Sequence, residues 1–152
     1  MINETMKLTG EVSIVLKGKN GQIKDTREIK NLVVNTGLAY FISRSVGVAK
    51  DVMSHMALGS STTAAAAGQT DLVTILGARE ALDSSTISGS NNEKVVYVCG
   101  FDAGDATGAV TEAGVFNALT AGDMLCRTVF AVVNKGADDT MTVTWTITLA
   151  AV

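Results

Sequence analysis

Residues 141–149 alternate strictly between apolar side chains and threonine, and no other feature constrains the fold of this chain as much. Successive side chains of a strand point to opposite faces, so a period of two predicts a strand with one apolar face. Threonine is stiff at χ1 and favours extended backbone on the other face. We expect the apolar face to lie in a core and the threonine face to meet either water or a neighbouring subunit.

A second alternating segment lies at residues 8–17. The dipeptide Asn20-Gly21 follows it, and these residues suit the two positive-φ positions of a tight hairpin turn. We therefore predict a hairpin whose second strand spans residues 22–34. The apolar residues predicted to share one face of the first strand are Leu8, Val12, Ile14 and Leu16.

A short helix is predicted after this hairpin. Asn35 or Thr36 is the predicted N-cap, and the helix is expected to end near residues 46–47. Its predicted core-facing residues are Leu38, Phe41 and Ile42.

The rest of the chain is predicted to form short strands joined by polar loops. Residues 60–69 and 83–92 have loop composition, and Asp71 is predicted to cap a single helical turn. Residues 95–101 are apolar on both faces and therefore predict a central strand. Further strands are predicted at residues 56–59, 109–117 and 124–133.

This arrangement predicts a mainly β protein, an antiparallel β-sandwich of jelly-roll or immunoglobulin-like type with one or two short helices. About seven to nine strands, separated by turn signals roughly every 8–14 residues, are typical of that class. The sequence contains no proline, so no strand lacks a backbone donor. A length of 152 residues fits one domain, and we predict that residues 1–7 form a flexible N-terminal arm.

The composition favours a chain that stays in contact with other proteins. Charged residues make up only 18% of the sequence, and a surface of Thr, Ser, Ala and Gly is less costly to desolvate than a charged one. A monomer with an uncharged surface fits the same composition. The net charge of −3 and the lack of a basic stripe argue against direct nucleic-acid binding. No apolar stretch approaches the ~20 residues of a membrane span.

The sequence lacks a converging set of reactive groups, so we predict no enzyme, no catalytic residue, no cofactor and no metal. The single histidine, His55, has no partner at the spacing of a catalytic pair or a metal site. Cys99 and Cys126 also lack metal-binding spacing, and we expect both to be buried, with a disulfide between them left open.

Acidic residues in two turns leave calcium binding as an alternative. Aspartate is common in turns because it bonds to its own backbone, and calcium would require further oxygen ligands from the fold. The two pairs are Asp102 with Asp105 and Asp138 with Asp139.

Glu112 lies in an apolar, strand-like segment. A buried carboxylate needs partners, so we predict that it pairs with Arg127 or Arg79.

Several short motifs occur in a distinctive order along residues 56–149. They include MALGSSTT (56–63), then Asp71 and Ala78-Arg79-Glu80, and the long FDAGDATGAVTEAGVF (101–116). LCRTVF (125–130), VNKG (133–136) and the threonine-alternating strand follow. In this order the chain resembles a group of small virion structural proteins of tailed bacteriophages, which includes head and tail-fibre components.

The resemblance implies a structural protein of the virion. Together with the compact size, it predicts a capsid decoration (cement) protein on the outer head surface, assembled in the bacterial host cytoplasm. Its expected partners are the major capsid protein and copies of itself in a trimer or dimer. No nucleic acid or membrane is expected as a partner.

Two other functions stay open. A tail component, either a fibre-tip module or a neck adaptor, would contact the host surface. A carbohydrate-binding or calcium-binding sandwich is less favoured, because sugar binding needs exposed aromatic rings whereas Trp145 and Tyr97 fall on predicted core strands.

Subunit contacts are predicted in the uncharged loops and at the start of the chain. The predicted contact residues are Met1, Ser60, Thr62, Ala65, Gln69, Ser85 and Asn91.

Overall fold

The computed structural model describes residues 4–48 and 50–152, which form two antiparallel sheets and one helix. This confirms the predicted β-sandwich. The described part contains ten strands, more than the sequence predicts, because two of them have only two residues each. The elements are β1 (Met6–Lys17), β2 (Ile23–Lys30), β3 (Leu32–Val33), α1 (Asn35–Ser45), β4 (His55–Gly59), β5 (Glu80–Ala81), β6 (Ser84–Ser88), β7 (Lys94–Phe101), β8 (Gly108–Phe116), β9 (Met124–Lys135) and β10 (Thr140–Ala151).

The first sheet has the order β2-β1-β10-β7-β6, with the alternating strand β10 at its centre. Trp145 of β10 lies opposite Val12 of β1 on one side and opposite Tyr97 of β7 on the other. These side chains are buried and belong to the main core between the sheets. The period-two pattern therefore identified the core face of β10 and of β1.

The start of β1 differs from the predicted arm. Met6 and Lys7 already belong to the strand, and they pair with Ala151 and Ala150 of β10. Met1, a predicted contact residue, lies outside the described residues.

The β1–β2 hairpin has a longer turn than predicted. Gly18 N–H donates to the Gln22 carbonyl at 2.9 Å, and Gly21 N–H donates to the Gly18 carbonyl at 2.9 Å. Gly21 has a φ of +79°, whereas Asn20 does not take the second positive φ that the predicted two-residue turn requires. A three-residue loop with glycine in the left-handed position closes the hairpin instead.

The prediction of one continuous strand over residues 22–34 was wrong in its second half. β2 ends at Lys30, and the chain crosses to the other sheet, where β3 pairs with β9. The crossing occurs at Asn31, whose side-chain amide packs directly over Gly10, where a Cβ would overlap it. One extended segment thus serves two sheets at a corner of the sandwich.

The helix α1 buries a different face from the predicted one. Gly37, Tyr40 and Ser43 are buried, whereas Leu38 and Ile42 are exposed and Phe41 is half-buried. A Cβ at Gly37 would overlap the Leu125 carbonyl, so glycine lets the helix lie directly against the backbone of β9. No helix among the described residues is long and apolar enough to cross a membrane.

The ends of α1 match the sequence only in part. The N-cap residue is Val34, with no side-chain cap, and the predicted cap Thr36 instead donates its hydroxyl to the Met124 carbonyl at 2.6 Å. The predicted end is confirmed, because the helix stops at Ser45 and Gly47 takes a φ of +67°.

The second sheet has the order β3-β9-β8-β4-β5, and its outer face is covered by residues 60–79, here called the cover loop. The predicted helical turn after Asp71 does not form; Leu72 packs into a small outer core and Ile75 bridges to Gly59. The outer core contains Val34, Ala57, Leu72, Phe116 and Met124.

The predicted polar loop at 83–92 contains the edge strand β6, which pairs with β7. Cys99 and Cys126 are buried free thiols, so no disulfide joins them. Burial raises the pKa of the Cys99 thiol to about 12 and that of Cys126 well above its usual value.

Candidate interaction surfaces

Glu112 of β8 and Arg127 of β9 form an ion pair beneath the cover loop. Arg127 donates from Nη2 and Nε to Glu112 Oε2, at 2.7 and 2.9 Å, and both side chains are 0% exposed. Ala113 and Val115 point into the main core, so the alternating Glu112 points to the outer face. The predicted pairing of Glu112 with Arg127 is confirmed.

The ion pair holds the cover loop on the sheet. Arg127 Nη1 donates to the Thr63 carbonyl at 3.0 Å and to Gln69 Oε1 at 2.9 Å. Glu112 also binds the loop: it accepts two hydrogen bonds from Arg127 and three more from backbone N–H groups of the loop. The loop donors are the N–H groups of Ser61 at 3.2 Å, Val73 at 3.1 Å and Thr74 at 2.8 Å.

Arg79, the other predicted partner of Glu112, fixes a different loop. Its guanidinium lies 3.6 Å from the centre of the Phe116 ring and donates to the Ala118 and Ala121 carbonyls at 2.9 and 2.7 Å. Arg79 is buried, and its two bonds anchor the loop at 118–121. The sequence pattern carried no signal for these carbonyl partners.

Between these two anchored loops lies an apolar groove of about 550 Å³, here called the loop groove. Val73 and Ile75 of the cover loop line one side, and Leu119 of the neighbouring loop lines the other. All three side chains are exposed.

A second apolar area lies on the exposed side of α1 and is here called the helix-end surface. Leu38 and Ile42 of α1 and the C-cap residue Val46 are exposed and follow one another at four-residue spacing, so they lie along one side of the helix. Leu38 shares a depression with Met6, Leu8 and Leu32, which completes the helix-end surface. A separate pocket is lined by Phe41, Leu8, Ile87 and Leu149. Clustered exposed apolar side chains of this kind are typical of protein-contact sites.

The predicted contact residues of the cover loop differ in how far they are exposed and in whether they already bond within the chain. Thr62 is exposed, whereas Ser60 and Ala65 are half-buried. Gln69 is engaged: besides accepting from Arg127, it accepts from Ala66 N–H and donates to the Ala64 carbonyl. Its role within the chain is to shape the loop.

The two remaining predicted contacts lie apart from the cover loop. Ser85 is an exposed residue of the edge strand β6, and Asn91 lies in the turn that follows it. Asn91 N–H donates to the Glu93 carboxylate at 2.9 Å, and such bonds from backbone N–H groups lower the pKa of Glu93.

The acidic turns are held by bonds within the chain. Asp139 accepts from Lys24 Nζ and from Gly136 N–H, both at 2.8 Å, and the Lys24 bond is the main cause that lowers its pKa. Lys135 is buried and donates to the Asp102 carbonyl at 2.8 Å, and desolvation lowers its pKa. Within residues 4–48 and 50–152, no three His, Cys, Asp or Glu side chains group closely enough to hold a metal ion.

The other singled-out side chains are placed within the fold. His55 Nδ1 lies 2.8 Å from the hydroxyl oxygen of its chain neighbour Ser54. Tyr40, Tyr97 and Trp145 are buried, as predicted for the last two.

Comparisons of the chain with protein-family models, with curated proteins and with solved structures find no significant match.

Proposed function

We propose that this chain is a non-catalytic structural subunit of a tailed-phage virion, a capsid decoration protein that binds neighbouring major-capsid subunits on the outer head surface. The observation that carries the proposal is the pair of exposed apolar surfaces on one anchored sandwich. The motif order in residues 56–149 supplies the virion context.

The helix-end surface is the proposed contact with the major capsid protein. Removing apolar surface from water yields roughly 25 cal/mol per Å², so a stripe of Leu38, Ile42 and Val46 favours burial. The helix is held close to β9 through Gly37, so little order has to be gained when a partner binds.

The loop groove is the proposed second contact. It is lined by the cover loop and the loop at 118–121, which Glu112–Arg127 and Arg79 hold in place. A subunit with two separate apolar contacts is able to join two neighbouring capsid subunits, and such multivalency raises affinity without new contact types.

The first test is the copy number of the protein per virion, measured by quantitative mass spectrometry of purified particles. Decoration of the head requires on the order of hundreds of copies, because the protein then follows the repeating capsid lattice. A handful to about a dozen copies would contradict the decoration role and favour the tail alternative. Particles lacking the protein should also release DNA at a lower temperature.

The second test uses matched substitutions at two isoleucines of similar exposure. Ile42 on the helix-end surface is 67% exposed, and Ile23 on β2 is 63% exposed. Ile42→Lys should reduce incorporation into particles, because it places a charge in the proposed apolar contact, whereas Ile23→Lys should be incorporated like the wild type. Equal incorporation of both variants would rule out the helix-end surface as the contact.

A further inference from the structure

The edge strand β6 leaves one side of the first sheet open. It pairs with β7 on one side only, and every residue from Ser84 to Ser88 is exposed. An edge strand presents a row of unpaired N–H and C=O groups, which a further strand is able to bind.

The opposite edge of the same sheet is protected by charge. Five of the eight residues of β2 are charged, and Arg27 bonds to Asp25 and to the Ala131 carbonyl. Charges on an edge strand are a common device against strand addition. The residues of β6, Ser-Ser-Thr-Ile-Ser, carry no charge, so only this edge of the first sheet lacks that protection.

Ile87 shows that the core is also incomplete beside β6. It lies directly opposite Val95, which packs against the main core, so both side chains lie on the core-facing side of the sheet. Ile87 is nevertheless 72% exposed. The outermost strand of the second sheet, β5, has only two residues, and Ile87 lines an open apolar pocket of about 260 Å³.

We infer that a second copy of this chain pairs with this edge, antiparallel and about a two-fold axis at Thr86, so that the two first sheets join into one. This inference rests on the proposed function and names an interface for the dimer predicted from the sequence. In that register Thr86 meets Thr86, Ser85 meets Ile87, and Ser84 meets Ser88 of the second copy.

The register is self-complementary, as a two-fold contact requires. It brings no like charges together, because no residue of β6 is charged. Because the axis is perpendicular to the sheet, both Ile87 side chains lie on the core-facing side and become diagonal neighbours. The absence of charge on β6 therefore favours a copy of itself over a charged partner strand.

The contact is small, so the isolated dimer is weak. Each copy contributes five paired residues, whereas a standard interface has about 20–30 residues a side. We therefore expect a dissociation constant in the range of about 10 µM to 1 mM. Copies held side by side on a shell would pair at a much higher effective concentration.

The test measures self-association of the purified chain by sedimentation velocity between about 10 µM and 1 mM. Thr86→Lys and Thr86→Glu each place like charges at the two-fold axis and should weaken dimerisation at least about fivefold. An equimolar mixture of the two variants should dimerise more tightly than either alone, because opposite charges then meet. The matched control is Thr26→Lys on β2, which should dimerise like the wild type.

Recovery in the mixture also shows that the two variants are folded. A wild-type chain that stays monomeric throughout, a mixture that does not recover, or a Thr26→Lys variant as weakened as Thr86→Lys would overturn the inference. The experiment uses no virus particle, so its failure is distinct from that of the decoration role, which the copy number decides.

Discussion

Replacing Arg127 by methionine tests whether the buried ion pair is what holds the cover loop. The change keeps a long side chain of similar width but removes both charged donors to Glu112. It also removes the donors to Thr63 and Gln69. We expect a large loss of stability together with local loosening of residues 60–74.

The expected magnitude follows from what remains around Glu112. Its carboxylate keeps three backbone donors but loses both bonds to the cation, at a position with no exposure to water. Removing one partner of a buried pair costs about 3–5 kcal/mol, because the other charge is left uncompensated. That is a large share of the 5–15 kcal/mol typical of a whole domain.

The assay is urea unfolding, with the free energy of unfolding taken from the midpoint and slope. Hydrogen exchange of the Ser61, Val73 and Thr74 amides reports the loop separately, since these groups donate to Glu112. Lys50→Met, which breaks the partly exposed pair with Asp123, is the control and should cost about 1 kcal/mol or less.

Two results would refute the reasoning. One is a decrease in the free energy of unfolding for Arg127→Met that is no larger than the decrease for Lys50→Met. The other is unchanged exchange of the three loop amides in a destabilised protein, which would mean that the ion pair stabilises the sheet without holding the loop. Glu112→Gln combined with Arg127→Met should cost less than the sum of the single changes, because the two residues interact directly.

Two further predictions concern α1 and the turn before β10. Gly37→Ala should destabilise the protein by about 1–3 kcal/mol in the same urea assay, because its Cβ overlaps the Leu125 carbonyl, while Gly68→Ala, whose Cβ meets nothing within 4 Å, should not. Asp139→Asn should lower the thermal midpoint at pH 7. Since the folded pKa of Asp139 lies below 3.8, its contribution is present above pH 3.8 and lost as the pH falls through the folded value. The difference from wild type should therefore shrink below pH 3.8, and a difference independent of pH would contradict this.

Sequence reasoning predicted best the strands that have one face in the core. In β1 and β10 the alternation persists because every second residue packs between the sheets. It missed β6, because an exposed edge strand needs only backbone pairing with β7 and leaves no apolar pattern. A polar strand and a polar loop of this kind have the same composition.

The helix shows a different limit. Leu38 and Ile42 are its strongest apolar residues, and hydrophobicity alone places them in the core. The close approach of α1 to β9 instead requires glycine at position 37, and Tyr40 and Ser43 share the buried face with it. Backbone proximity depends on tertiary structure, which periodicity along one helix does not report.

Of the contacts that anchor the cover loop, the sequence predicted only the one between two side chains. A glutamate within an apolar strand indicated a buried partner, and Arg127 supplies it. The remaining partners of this pair include the backbone groups of Ser61, Val73 and Thr74, and every residue type carries such groups. The anchoring of the cover loop therefore left no trace in its composition.

The burial of β8 shows that the cover loop is packed against the second sheet. All residues from Val110 to Phe116 are buried, so both faces of this antiparallel strand are covered, one by the first sheet and the other by the cover loop. The loop is thus part of the packed interior on one side and part of the surface on the other. A surface fixed in this way loses little conformational freedom on binding, and binding costs fall accordingly. Under the proposed decoration role, a modest apolar contact such as the loop groove would then suffice to hold each copy in place.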